Sequence, residues 1–394
     1  MHLSLKFLVL FGVVLLLLTA SHVFLWRRLG RAPQWGPRVQ RAVGLLLTLL
    51  GLSIPAGLAL GRFADDTLGR GVAALGYTWM GLLFYFMVGL AGVDVATLGL
   101  RVGRKALGLG RIAPDRKVFL ARAVAGTLTA GVLLVGGVGI VTANRTPDVQ
   151  TVEVTLDGLP LELDGFTIVQ LSDLHVGPTI RRERVRALVA QTNAMHPDLI
   201  ALTGDFVDGS VASLRDQVAP LADLKAKHGT YFVTGNHETY SGANQWLDEF
   251  RRLGLHTLRN ERAWIGNRDA GFDLAGVDDP SSFQAEGRGA DVALALRGHD
   301  PRNAVVLLSH QPTVIDQAAK HAVGLMLSGH THGGQIWPFG FLVGLQQPYM
   351  QGLHRRGNTW LYVSRGVGYW GPPMRLGAPP EVTRIVLRAS SKPG

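Results

Sequence analysis

The sequence predicts a chain in two parts: an N-terminal all-α transmembrane bundle of four helices and a C-terminal α/β domain. Three observations predict this division. Every apolar run long enough to span a bilayer lies before residue 145, and short strand-like runs alternate with amphipathic helical stretches from residue 151 onward. A length of 394 residues also exceeds what one hydrophobic core usually organises. We therefore expect a transmembrane region over residues 1–145 and a separate domain over residues 150–390.

Four apolar stretches are each close to the roughly 20 residues that a helix needs to cross a bilayer. They cover residues 7–26, 42–60, 72–100 and 118–141. The first is longer than the apolar core of a signal peptide, and Arg27 and Arg28 follow it where a small-residue cleavage site would stand. This pattern favours an uncleaved first span.

The basic residues of the short loops predict the orientation in the membrane. Residues 27–41 contain five arginines and residues 101–117 contain six Lys and Arg, whereas residues 61–71 contain two arginines. Because basic loops stay in the cytoplasm, we expect a multi-pass protein of the cell (inner) membrane with its C-terminal domain outside the cytoplasm. Asp94 is the only acidic residue in the predicted spans, and we place it at the interface near Arg101.

The net charge of +10 is concentrated near the membrane. Residues 1–149 hold 16 of the 39 Lys and Arg but only 5 of the 29 Asp and Glu, so the remainder of the chain is nearly neutral. This balance gives no electrostatic footprint for a polyanion, and we expect no nucleic-acid partner. The chain has no cysteine, so any metal must be held by nitrogen and oxygen ligands.

The C-terminal half contains six short apolar runs that predict strands. These are residues 166–171, 199–203, 230–234, 272–275, 304–308 and 324–327. Amphipathic patterns predict helices over residues 182–195 and 213–227.

Polar residues cluster directly after five of these predicted strands. They are Asp173 and His175, then Asp205, then Asn236, His237 and Glu238, then His310, and finally His330 and His332. In open α/β sheets, ligands bind beyond the carboxyl ends of the strands, so these loops can converge on one site.

The residue types suit two divalent cations. Asp173, His175, Asp205 and His332 can hold the first ion, and Asp205, Asn236, His310 and His330 can hold the second. Asp205 would bridge the two ions with its two oxygens. Metal ions about 3.5–4 Å apart activate a bridging water for in-line phosphoryl displacement. His237 lies beside a ligand without being needed as one, so it could protonate the leaving oxygen.

These polar blocks resemble those of the calcineurin-like metallophosphoesterase superfamily. The phrases Leu-Ser-Asp-Leu-His at 171–175, Gly-His-Thr-His-Gly-Gly-Gln at 329–335 and Val-Ser-Arg-Gly at 363–366 are similar to its bacterial YkuE/YaeI-type branch, which includes membrane-associated phosphodiesterases and phosphatases. The resemblance implies two packed mixed β-sheets flanked by helices. It also implies a dinuclear centre of manganese, iron or zinc.

Three further residues have two interpretations each. Asp208 and Glu238 could orient metal-bound imidazoles or water, or they could be solvated loop carboxylates. Arg365 could bind a phosphate group or form a salt bridge.

The leading functional hypothesis is a membrane-anchored, metal-dependent phosphoesterase. Its substrate would be a phosphomonoester or phosphodiester, including a lipid-linked ester, attacked in line by a metal-bridging hydroxide. The alternative is a membrane sensor or transporter with a regulatory metal-binding domain. The complete ligand set and His237 favour the enzyme, and a single intramembrane carboxylate offers little for transport.

Residues 336–350 form an apolar segment with no charged residue directly after the predicted metal histidines. The segment could fold back as an edge of the core. Alternatively, Trp337, Phe339, Phe341 and Leu342 could form an exposed patch that contacts a membrane or a lipid.

Overall fold

The computed structural model describes residues 5–63, 67–110 and 112–390. The chain separates into two compact units, Met1–Val138 and Gly139–Gly394. Residues 64–66 and Arg111, which belong to loops used to predict the orientation, lie outside the described residues.

The first unit is helical, as predicted. Its helices are α1 (Leu5–Leu25), α2 (Pro37–Phe63), α3 (Thr67–Ala106) and α4 (Pro114–Asn144), the last of which continues into the second unit. All four are long and apolar enough to cross a membrane. Helices α2, α3 and α4 extend past both ends of the apolar stretches that predicted them, because hydropathy marks only the part of a helix that would face lipid. Helix α1 begins two residues before its stretch and ends one residue before the end of it.

Asp94 lies within α3, twelve residues before its end, rather than next to the helix terminus. Its carboxylate forms a salt bridge of 2.7 Å with Arg28, which lies in the π-helical turn Trp26–Arg31 after α1. The carboxylate is therefore level with the end of α1, and its placement at the membrane interface stays a prediction.

The second unit contains two six-stranded sheets, both mixed, which confirms the predicted α/β architecture. The first sheet has the order β1 (Asp148–Leu156), β12 (Glu381–Ala389), β2 (Thr167–Leu171), β3 (Leu199–Leu202), β4 (Thr230–Phe232), β5 (His256–Thr257). The second has the order β10 (Gly352–Arg356), β11 (Thr359–Val363), β9 (Leu325–Ser328), β8 (Val305–Leu308), β7 (Gly271–Gly276), β6 (Glu261–Gly266).

Eight short helices accompany these sheets. They are α5 (Arg182–Asn193), α6 (Val211–Val218), α7 (Asn236–Ser241), α8 (Ala243–Arg252), α9 (Ser282–Glu286), α10 (Val292–Ala295), α11 (Ile315–Lys320) and α12 (Gly340–Val343). The buried face of α5 is the predicted one, with Val185, Leu188, Val189 and Thr192 turned inward.

The central strands are buried on both faces, which explains their nearly continuous apolar runs. In β2, Ile168 packs in a cluster with residues of both sheets, such as Phe272 and Leu308. The neighbouring Val169 and Leu171 pack in a second cluster with α5 and α8. A core therefore lies between the sheets, and further cores lie under the helices.

The predicted helix over residues 213–227 is wrong in its bounds. Helix α6 begins at Val211, after Ser210 caps it by accepting a hydrogen bond from the Ser213 N–H, and ends at Val218. A short 3-10 helix, Ala219–Asp223, follows. Pro220 explains the change, because proline has no N–H to donate to the preceding turn of an α-helix.

Candidate metal centre

The predicted site residues follow the carboxyl ends of five strands. Asp173 and His175 follow β2, Asp205 follows β3, Asn236 and His237 follow β4, His310 follows β8, and His330 and His332 follow β9. Five of these residues have backbone φ angles between 51° and 72°, namely Asp173, His175, Asp205, His330 and His332. Such angles are uncommon outside glycine, but Asp and His tolerate them best. The left-handed turns aim side chains back into the site at some cost in strain.

The first group of ligand atoms comes from Asp173, His175 and His332. The Nε2 atoms of the two histidines lie 3.0 Å apart, and the His332 Nε2 atom lies 3.3 Å from Asp173 Oδ1. Asp173 also accepts hydrogen bonds from the His330 N–H, so it connects the loops after β2 and β9.

The second group comes from Asp205, His310 and His330. The His310 Nε2 atom lies 3.0 Å from Asp205 Oδ2 and 3.2 Å from the His330 Nδ1 atom. The other ring nitrogen of His310, Nδ1, is held by the Thr203 carbonyl oxygen at 2.8 Å, which directs Nε2 into the group.

Asp205 connects the two groups. Its Oδ2 atom is 3.0 Å from His310 in the second group and 4.0 Å from the His175 Nε2 atom in the first. Its Oδ1 atom accepts a hydrogen bond of 2.8 Å from the His237 N–H. A carboxylate in this position can offer an oxygen to both groups.

The donor set fits divalent cations. The ligand atoms are imidazole nitrogens and carboxylate oxygens about 3 Å apart, the separation expected for ligands that each lie about 2.0–2.2 Å from a common ion. Asn236 adds an independent observation, because its Oδ1 atom is buried and has no hydrogen-bond partner among the residues that the structure describes. A buried amide oxygen without a partner is costly, and a cation would satisfy it.

Burial dominates the pKa of three of these ligands, whereas for His310 the charges of Asp205 and Asp173 outweigh burial and raise the pKa well above its ordinary value. Burial raises the pKa of Asp173 above its usual range, and it lowers the pKa of His330 to about 3. Burial also holds the pKa of His332 well below its ordinary value. Neutral imidazoles present the lone pairs that a metal ion requires.

His237 lies at the margin of the ligand groups and is partly exposed. Its Nδ1 atom is 2.6 Å from Asp208 Oδ1, and its Nε2 atom is 4.0 Å from Asp205 Oδ2. Burial lowers the pKa of His237, but the carboxylates of Asp205 and Asp208 outweigh that effect and raise it to about 9. The ring is therefore held in one orientation and in its protonated form.

Comparison with known proteins shows which family this chain belongs to. The calcineurin-like phosphoesterase profile matches residues 166–334. A transmembrane protein with metallophosphoesterase domain from Bos taurus is 37% identical over 331 residues, which cover 80% of this chain and 73% of that protein. Its counterpart from Danio rerio is 32% identical over 94% of this chain and 87% of its own length. The chain belongs to the calcineurin-like metallophosphoesterase family.

A bacterial relative supports the same assignment. The uncharacterized metallophosphoesterase YkuE of Bacillus subtilis is 30% identical over 70% of this chain and 99% of its own length. Because this chain also has four helices of membrane-spanning length and composition, it is a membrane-associated member of the family.

Asp208 orients two imidazoles of this metallophosphoesterase. Its Oδ1 atom contacts the Nδ1 atoms of both His175 and His237, at 3.0 and 2.6 Å. Both rings therefore turn their Nε2 atoms toward Asp205. Of the two interpretations of Asp208, the structure favours the orienting one.

Glu238 contradicts one of its two interpretations, the solvated loop carboxylate. It is fully buried, so it is not a solvated loop residue, and its oxygens accept three backbone N–H groups instead of contacting an imidazole. Oε2 accepts from Asp205 and Gly235, and Oε1 accepts from Phe206, at 2.7–2.9 Å. Burial and the Asp205 charge raise the pKa of Glu238 to about 7.

Two arginines lie close to the site. Arg365 forms a salt bridge of 2.5 Å with Glu381, and its contact with a substrate phosphate stays a prediction. Arg375 is fully buried, lies 3.1 Å from the His332 Nδ1 atom and donates to several backbone carbonyl oxygens. Burial lowers the pKa of Arg375 to about 9. Sequence reasoning missed Arg375, because no motif surrounds it.

Two aromatic residues flank His237 and were also missed. The rings of Tyr240 and Trp370 lie 5.7 and 6.4 Å from its imidazole, and both are exposed. The approach to His237 is therefore partly apolar. Tyr240 could have been found from the sequence, since it lies one turn after His237 in α7.

Proposed function

We propose that this protein hydrolyses phosphomonoesters or phosphodiesters at a centre of two divalent ions. Asp173, His175, Asp205 and His332 would hold one ion, and Asp205, Asn236, His310 and His330 the other. The observation that carries the proposal is the position of Asp205, whose carboxylate lies between two separate groups of ligand atoms with His237 beside it. Two bound ions would supply an activated water and neutralise charge on the phosphoryl oxygens.

His237 is the proposed general acid. Asp208 holds its Nδ1 atom, so the Nε2 atom faces the ligand groups. A raised pKa keeps a proton on the ring for transfer to the leaving oxygen. Manganese, iron and zinc all accept the available nitrogen and oxygen donors.

The substrate class is proposed to include lipid-linked phosphoesters. The support for this is the partly apolar approach to His237, between the exposed rings of Tyr240 and Trp370. An apolar approach suits an ester with a hydrophobic leaving group better than a small, fully hydrated one.

The activity is tested with the purified full-length protein in detergent, supplied with Mn²⁺, on bis-p-nitrophenyl phosphate and on a lipid phosphate in mixed micelles. We expect turnover by the unaltered protein. His237→Ala should keep its metal content and lose about 10²–10⁴-fold in rate, the usual contribution of a general acid.

A metal-loaded protein without turnover on any ester would contradict the enzyme and favour a binding role. Loss of metal from His237→Ala would make His237 a ligand instead of an acid.

A further inference from the structure

The apolar loop, residues 336–350, exposes large hydrophobic side chains. Ile336 is buried, but Trp337, Phe341, Leu342 and Leu345 are 61%, 73%, 57% and 82% exposed. No charged residue interrupts the loop. The prediction that this segment folds back as an edge of the core is therefore wrong for these side chains. Among the described residues of this unit, no element covers the apolar surface that they form.

The apolar loop is fixed at both ends beside the ligand histidines. Its last residue, Met350, accepts a hydrogen bond from the Thr331 side chain, between His330 and His332. Near its start, the Trp337 N–H donates to the Leu376 carbonyl oxygen, and the Leu376 N–H donates to Gln335. The exposed side chains are thus presented from a fixed base at the edge of the site.

The strand order places the start of the domain at this same edge. Strand β1 begins at Asp148, with three residues between it and the end of α4, and runs parallel to β12. Strand β12 runs antiparallel to β2, with Thr383 opposite Gln170. Asp148 pairs with Glu381, so it lies where β2 ends and the ligand loop of Asp173 begins. The chain therefore leaves its last span at the edge that carries the site.

The last turn of α4, Gly139–Asn144, packs within the second unit. The backbone N–H of Arg375 donates to the Gly139 carbonyl oxygen at 2.9 Å. Ala143 is buried in the cluster that contains Leu171 and Leu174. Gly139 lies two residues before the end of the apolar stretch 118–141. Arg375 and the neighbouring Leu376, whose carbonyl oxygen accepts from the Trp337 backbone N–H, are therefore tied to the last residues of α4.

We propose that the apolar loop is a membrane-contact surface, which inserts its exposed side chains into the interface of the bilayer that α4 crosses. Tryptophan and phenylalanine favour that interface, and a contiguous exposed apolar surface on a membrane-anchored domain is explained by lipid contact. The ligand groups would then open toward the lipid headgroups. This surface does not depend on whether the protein is catalytically active.

The absence of cysteine allows a direct test in the full-length protein. Leu345→Cys carries an environment-sensitive fluorophore, and the protein is reconstituted into phosphatidylcholine and phosphatidylglycerol vesicles. The matched control is Leu161→Cys, because Leu161 is 77% exposed and lies in the turn before β2, at the opposite edge of the sheet. Phe341→Cys is the second probe should the first variant fold poorly, and the metal content of each variant reports folding.

We expect lipids brominated on their acyl chains to quench the label at position 345 and aqueous iodide to quench it several-fold less than the label at position 161. Equal access of iodide to both positions would overturn the proposal. Shielding from iodide that increases with the protein-to-lipid ratio, without quenching by brominated lipid, would also overturn it, because a second copy of the chain would then cover the loop.

Discussion

At the scale of single residues, Glu238 holds the backbone around Asp205 in place. One of its oxygens binds the backbone N–H of Asp205 and of Gly235, which precedes the ligand Asn236, and the other binds Phe206. A single buried carboxyl group therefore fixes the loops after β3 and β4 relative to each other. The proposed ligands Asp205 and Asn236 lie on these two loops, so their relative position depends on this carboxyl group.

Replacing Glu238 is expected to destabilise the domain as well as the site. Glu238→Ala leaves three buried N–H groups without acceptors, which should cost about 3–5 kcal/mol in the free energy of unfolding. Glu238→Gln keeps one acceptor oxygen, so its free energy of unfolding should lie between those of Glu238→Ala and the unaltered protein. Thermal unfolding followed by tryptophan fluorescence measures both, with metal content measured alongside. An unchanged melting temperature for Glu238→Ala would show that the loops are held in another way.

The sequence predicted the polar residues that follow strands, but it did not predict the side chains that hold those residues in place. The spacing of the polar blocks brings together Asp173, Asp205 and their histidine partners as predicted from the convergence of strand ends. The contact of Asp208 with two rings and that of Arg375 with His332 join segments 29 or more residues apart. Such pairs are set by tertiary packing, and no local pattern in a single sequence indicates them.

At the scale of elements, the six strands with short, uninterrupted apolar runs were predictable. Those six runs all became strands with ends shifted by two residues or fewer. Strands β1, β6, β10, β11 and β12 were missed. Charged residues lie within β6, β10 and β12, and β1 alternates exposed and buried residues. Strand β5 was also missed, since it has only two residues.

In the turn after β9, only glycine fits at position 329. A Cβ atom at Gly329 would collide with the Ser172 side chain and with Asp173 Oδ2. Gly329→Ala should therefore displace a predicted metal ligand and lower the rate by about 10²-fold, the effect of a displacement near 1 Å. The control is Gly344→Ala, where the nearest atom is 3.4 Å from the added carbon. Equal activity of the two variants would remove the basis for this prediction.

At the scale of the whole molecule, we propose that the domain of residues 150–390 lies outside the cytoplasm. The support is the excess of basic residues in the loops after the first and third helices. Reporters fused after Gly394 test the orientation. Alkaline phosphatase, which matures only outside the cytoplasm, should be active, and a fluorescent protein that matures only in the cytoplasm should be dark. The reverse pattern would place the domain in the cytoplasm.

Asp205 is proposed to join two metal sites into one hydrolytic centre. The number of metal ions bound by Asp205→Asn tests this role directly. The full-length protein and the variant are purified identically, loaded with Mn²⁺, dialysed, and measured for bound metal and for hydrolysis of bis-p-nitrophenyl phosphate. We expect about two ions per chain in the unaltered protein. The variant should lose both metal and turnover, because its neutral amide cannot serve two cations. Full metal occupancy with normal turnover in Asp205→Asn would contradict it.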